Sequence, residues 1–171
     1  MQKDSLAICL HQTLSMKEFL QIEVCPPGWQ MMDLYLFRDD QVFFYIGQSY
    51  IAFDRVWQHI RDGFKGRSVI GRFILCNWPA AMDFTVELVS SQASQFIDQG
   101  NRLNAIEQYL IESHTPCFNR AMNLHPTPLP ARYAPPNIPP KYLRSLRRMR
   151  LEARYMIKAE KKKAWMAKER L

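Results

Sequence analysis

The chain is predicted to be a small α+β protein: a three-stranded, mainly antiparallel sheet flanked by helices, followed by a basic C-terminal helix. Three observations predict this. Two short apolar and aromatic runs, Met32–Phe37 and Val42–Ile46, bracket the polar turn Arg38-Asp39-Asp40-Gln41. Phe53, Val56, Trp57 and Ile60 then recur at helical spacing. From Lys141 onward the composition turns helical and strongly basic.

The elements follow in order. Residues 1–30 read as an extension packing on the core and carry no evident chemistry. In it, Leu6–Leu10 suits a strand or a helical turn, and Ser15-Met16-Lys17-Glu18 is a capping box opening a short helix to about Ile22. Pro26-Pro27-Gly28 breaks the chain. The core is expected over 31–122. Gly47 closes the second strand, and Ser49 or Asp54 suits the cap of the next helix. Val69–Asn77 is apolar and compatible with strand or helix. Phe84–Val89 alternates, with Phe84, Val86 and Leu88 on one face, and supplies the third strand. Ile106, Tyr109 and Leu110 mark a helix that stops before Pro116. Residues 123–140 form a linker, since His125–Pro140 holds seven of the 11 prolines. In the arm, 141–171, Tyr142, Leu146, Met149, Ala153 and Met156 or Ile157 have the spacing to seat a helix on the core.

Composition narrows the classes. A hydrophobic content of 47% over 171 residues supports one sizeable core. Cys9, Cys25, Cys76 and Cys117 form no Cys-x-x-Cys pair, which argues against structural zinc and for free thiols in a reducing compartment. No run approaches the roughly 18 apolar residues of a membrane span, and the N-terminus lacks a signal-peptide layout. The expected location is therefore cytoplasmic or nucleoid-associated, with no membrane partner.

The candidate chemistry lies on the hairpin and the helices after it. Tyr35 and Tyr45 stand ten positions apart on paired strands, and Arg55 follows ten later on the next helix, with His59 one turn on. Glu107 lies on a later helix and Asn119 in the loop after it. Phenols, a guanidinium and a helix-held carboxylate suit chemistry on a phosphate ester, because Mg²⁺ takes one or two protein carboxylates and fills its other positions with water and phosphate oxygens. Each residue also has an ordinary reading: tyrosines fit half-buried strands, and helical Arg, His and Glu are commonly solvated.

Together, Asp33-Leu34-Tyr35, Tyr45-Ile46-Gly47, Arg55, His59, Glu107 and Asn119 resemble the signature of GIY-YIG nucleases over about residues 31–122. The ten, ten and twelve spacings (Tyr35 to Tyr45, Tyr45 to Arg55, Glu107 to Asn119) are similar to those of the incision subunit of bacterial excision repair. Two positions depart: Asp33 stands where the first motif has glycine, and Gln48 where that branch often has lysine. The resemblance implies an endonuclease in which Glu107 holds Mg²⁺ or Mn²⁺ and Arg55 faces the non-bridging oxygens. It also implies that Tyr35 positions or deprotonates the attacking water, helped by His59, Arg55 or the metal's own field. Tyr45 would orient the phosphate or water, and Asn119 would hold Glu107 or local backbone. No small-molecule cofactor is implied.

The net charge of +7 belongs to the tail. Residues 141–171 carry 12 Lys and Arg against 3 Glu, a net of +9; residues 1–140 carry 11 against 13, a net of −2. A basic run can be a solvated face, a nucleic-acid contact, or a dock for a lipid surface or acidic protein. Beside a nuclease-like core the expected partner is DNA, with RNA open. The expected backbone contacts are Arg144, Arg147, Arg148, Arg150, Arg154, Lys158, Lys161, Lys162 and Lys163. A binding module with a decayed site, or an interaction protein docking its basic helix on an acidic partner, remains the alternative.

Overall fold

The computed structural model describes residues 7–137 and 143–170. Leu6, Lys141 and Tyr142, named above, lie outside them. The architecture is α+β, with four strands where three are expected: β1 (His11–Ser15), β2 (Leu34–Arg38), β3 (Phe43–Gln48) and β4 (Thr85–Val89). Their order is β1-β4-β2-β3, with every neighbouring pair antiparallel. The added strand comes from the N-terminal segment, which is thus part of the sheet. It begins immediately after Leu6–Leu10, whose described part, 7–10, is irregular. At a sheet edge, His11-Gln12-Thr13-Leu14-Ser15 needs little apolar content, so it carries a weak strand pattern.

Among the described residues, five α-helices complete the fold with two short 3-10 turns (Ala80–Asp83 and Ser94–Gln99): α1 (Met16–Phe19), α2 (Ala52–Phe64), α3 (Val69–Cys76), α4 (Leu103–His114) and α5 (Leu146–Lys168). Ser15 Oγ accepts the Glu18 backbone N–H and donates to the Glu18 carboxylate, so α1 opens as its capping pattern predicts. It ends at Phe19, short of Ile22. Neither Ser49 nor Asp54 caps α2. Ile51 occupies that position without a side-chain bond, and the Ala52 N–H is satisfied by the Met32 carbonyl. The ambiguous stretch after Arg67 is α3, opened by the Ser68 hydroxyl accepting from Gly71 N at 3.0 Å.

Both sheet faces are covered. Tyr35, Phe37, Phe44, Val86 and Leu88 pack with Phe19 of α1, Phe53, Val56 and Ile60 of α2, and Phe73 and Ile74 of α3. Leu34, Leu36, Ile46 and Val89 face Ile106, Leu110 and Ile111 of α4. Tyr109 is 47% exposed, so the buried stripe of α4 runs through Ile111 instead. A β-bulge between Phe37 and Arg38 of β2 and the facing residues of β3 sends both Phe44 and Tyr45 to the first face. It is this irregularity that lets one strand supply a core residue and a site residue side by side.

The described part of the proline-rich segment is fastened down. Tyr133 lies edge-on to Phe44, Phe73 and Phe84, Arg132 and the Tyr133 hydroxyl both donate to Asp39, and Asn77 bonds Ala134 through both its amide atoms. Helix α5 docks through Met149 and Ala153, both buried, and through Glu152, which accepts from Trp78 Nε1 at 2.6 Å. Met156 is 44% exposed and takes no part in the seat. Among the described residues no helix is long and apolar enough to cross a membrane, and the four cysteines are free thiols.

Candidate active site

The site begins at one cross-strand pair. Tyr35 on β2 faces Gly47 on β3, and the tyrosine ring lies directly over the glycine: a Cβ at position 47 would stand 2.3 Å from the Tyr35 hydroxyl and 2.4 Å from Cζ. Glycine is required there because the phenol occupies its side-chain space. Tyr35 is 2% exposed, enclosed by Phe37, Tyr45 and His59. Tyr45 stacks on it with ring centroids 6.2 Å apart and 25° between planes.

Helices α2 and α3 supply the next layer. They cross at Gly63 and Gly71, where a Cβ on either residue would strike the partner helix's backbone. This close approach brings Ser68 to His59. The Tyr35 hydroxyl and His59 Nε2 are 2.9 Å apart, and His59 Nδ1 and Ser68 Oγ 2.8 Å. Burial, then the nearby Arg55 charge, pushes His59 down to about 4, so the ring is neutral near pH 7. Arg55 is half-buried one turn earlier, its Nη1 donating to Gln58 at 2.7 Å.

Helix α4 brings Glu107 from the opposite face of the sheet, around its β3 edge. Gln48 at the end of β3 donates to Glu107 Oε2 and to Asn104 Oδ1, each at 2.8 Å, tying strand to helix. Burial raises the Glu107 carboxyl, and the Gln48 bond opposes that rise. Asn119 completes the edge. Its side chain accepts from Ile46 N at 2.9 Å and donates to Ile46 O at 2.8 Å, as a neighbouring strand would. Of its two expected roles, Asn119 thus holds the backbone, while Gln48 holds Glu107.

Tyr45, Arg55, His59, Glu107 and Asn119 line one cleft of about 500 Å³. The sixth expected residue, Tyr35, sits behind them. Tyr45 lines the cleft, and Tyr35, the phenol expected to act on the water, is buried behind it. Burial raises both phenols. Tyr45 is raised further by Glu107, while Arg55 and hydrogen bonding from Tyr35 stabilise its anion. Asp33, the departure in the first motif, has a structural task, its carboxylate accepting from Ser91 N and Ser91 Oγ at 2.7 Å each.

Several participants have no counterpart in the sequence reading. Ser68, Arg67 and Arg120 all touch or line this site, and Gln48, noted in the sequence only as a departure from the motif, holds Glu107. Ser68 was findable, as a serine immediately before an apolar run is an N-cap signal. The two arginines carry no sequence signal, because only the fold brings them to the cleft. The arm's cations also divide. Arg150 pairs with Glu23 and donates to the Leu20 carbonyl, and Arg154 donates to Gln21, so these two fasten the helix to the body, while Arg144 and Arg148 pair with Glu152 of the arm itself and Arg147 is exposed. Lys158, Lys161, Lys162 and Lys163 are exposed, and Trp165 beside them is 63% exposed.

Toward a divalent cation the cleft offers one carboxylate, that of Glu107. Among the described residues Gln48 is the one hydrogen-bond partner of that carboxylate, which leaves Oε1 without one. No group of three or more His, Cys, Asp and Glu side chains is gathered for a metal among the described residues. Such a cation would have one protein carboxylate and take its other ligands from water and substrate, a coordination that Mg²⁺ accepts.

No family model, curated protein or solved structure matches the chain.

Proposed function

We propose that this protein is a metal-dependent endonuclease that hydrolyses DNA phosphodiester bonds. The observation that carries the reading is the convergence of Tyr45, Arg55, His59 and Glu107, from three elements on both sides of the sheet, on one cleft. A hydrophobic core does not need that set, and a phosphate diester does.

Arg55 places positive charge against the non-bridging oxygens, where the interaction strengthens as the phosphoryl centre gains charge. Tyr45 accepts a hydrogen bond from the attacking water and is its base. An isolated phenol ionises near pH 10, so this role requires help. Arg55 and the Tyr35 hydroxyl supply part of it. Neutral His59 holds that hydroxyl in place, and Ser68 in turn holds His59. A divalent cation on Glu107, when bound, polarises the scissile phosphate, stabilises the leaving 3′ oxygen and cancels the negative charge that opposes Tyr45 ionisation. Asn119 keeps the β3 edge closed beside the site.

The competing reading is a binding module without hydrolysis. It is favoured by one observation: Glu107 and Arg55 already have neutral partners in Gln48 and Gln58. Supercoiled plasmid incubated with the protein decides between them. The nuclease nicks it with Mg²⁺ and not with EDTA, and Arg55→Ala abolishes nicking while circular dichroism is unchanged. A protein that retards the plasmid but never nicks it is a binding module.

A further inference from the structure

The arginines of the body are not distributed at random with respect to their partners. Arg38 pairs with Glu87, Arg132 pairs with Asp39, and Arg61 lies over the Trp57 ring. By contrast, Arg67, Arg102 and Arg120 have no side-chain partner among the described residues, and Arg55 has only neutral ones, Gln58 and the Tyr35 hydroxyl. All four line one of two clefts. Arg55, Arg67 and Arg120 line the cleft described above, and Arg102 lines a second of about 640 Å³. Glu107 and Met122 line both clefts, which therefore adjoin at the α4 carboxylate as a two-part groove.

This arrangement sits in a body whose formal charge over residues 1–140 is −2. Within the groove the count is reversed, four guanidiniums against the single carboxylate of Glu107. Unpartnered like charges gathered in a concave site repel one another, and their field is answered by an anion with charges at several points along the groove. A small anion would satisfy one end only. A nucleic-acid backbone presents a phosphate at each nucleotide and satisfies both.

We infer that the substrate strand runs along this groove across Glu107, with Arg67 and Arg120 holding a phosphate on one side of the scissile bond and Arg102 holding one on the other. The inference rests on the hydrolytic reading for which phosphate is cut, and on the groove for which phosphates are held. The body, and not the basic arm alone, then sets backbone affinity and fixes the strand's register at Tyr45.

The test is binding of a short labelled DNA duplex by the full chain carrying Glu107→Gln, which separates binding from cleavage. Adding Arg67→Ala and Arg120→Ala together should weaken binding at least about tenfold and flatten the salt dependence of log Kd by about 2, as expected for two lost phosphate contacts. Single methylphosphonates placed along the strand then locate the contacts. One neutralised phosphate should cost the parent about tenfold and the double variant less than about twofold. Arg102→Ala should remove the penalty at a different phosphate, across the wild-type cut, and Arg102→Lys should partly restore it. Equal penalties in parent and variants at every position, or an unchanged salt slope, would overturn the inference. A wild-type chain that never cuts, yet shows these couplings, would sink the hydrolytic reading and leave the groove assignment standing.

Discussion

Alanine at Gly47 tests the packing on which the site is built. Its Cβ would lie 2.3, 2.4 and 2.9 Å from the hydroxyl, Cζ and Cε2 of Tyr35, distances at which something must move. The ring has little room to do so, being 2% exposed and enclosed by Phe37, Tyr45 and His59. Overpacking of this kind costs about 1–3 kcal/mol. Displacing the ring also breaks the bond between the buried Tyr35 hydroxyl and His59, about 1–3 kcal/mol more. The restricted unfolded state of alanine returns about 0.4–1 kcal/mol. Gly47→Ala should therefore lose about 3 kcal/mol in urea unfolding. Tyr35→Phe should not rescue it, because the contacts to Cζ and Cε2 survive loss of the hydroxyl. Tyr35→Leu should: the double variant should lie within about 1 kcal/mol of Tyr35→Leu alone, a strong coupling between the two positions. A Gly47→Ala protein within about 0.5 kcal/mol of wild type, or rescue by Tyr35→Phe, would refute this account of why the glycine is there.

Two further outcomes follow from the same contacts. His59 is pushed down to about 4 in the folded protein from an ordinary 6.5, so between these values the unfolded chain binds more protons than the folded one. Stability should be complete above about pH 6.5, fall as pH drops to about 4, and lose up to about 3 kcal/mol from this group. His59→Gln should flatten that part of the urea-midpoint profile, and an unchanged slope would contradict the assignment. Truncation of the arm should divide by position. Removing 161–171 takes away exposed lysines and should weaken DNA binding and reduce its salt slope while leaving the unfolding midpoint nearly unchanged. Removing all of α5 also uncovers the core surface beneath Met149 and Ala153 and deletes the Glu160 partner of Lys17, and should lower the midpoint by several degrees.

The parts of this fold legible in the sequence are those with a period and a terminator. The hairpin, α2 and β4 repeat apolar residues at the spacing of their element, and buried Phe53, Val56, Trp57, Ile60, Val86 and Leu88 follow it. Strand β1 was not legible, because an edge strand satisfies its backbone through β4 and asks little of its side chains. The same holds for the β3 edge. That Asn119 substitutes for a strand is a matter of two bonds to Ile46, invisible in any periodicity. Within the site, residue types and spacings pointed to the set that converges, but not to depth. Which phenol faces the cleft depends on a bulge that turns Tyr45 and on a glycine that admits Tyr35, and neither is readable before the strands are paired. The apolar spacing of the arm points to the Met149 and Ala153 seat, but charge alone does not separate the cations that reach Glu23 and Gln21 of the body from those that are exposed.

The central claim is that Glu107 and the Tyr45 cleft act on one phosphate through a divalent cation. Single-turnover cleavage of labelled DNA across a Mg²⁺ titration, for wild type and Glu107→Gln, measures this directly. Wild-type cleavage should rise and saturate with Mg²⁺, while the variant binds the DNA and leaves it intact at every concentration. Cleavage that is independent of Mg²⁺, or equally fast in both proteins, would contradict the claim.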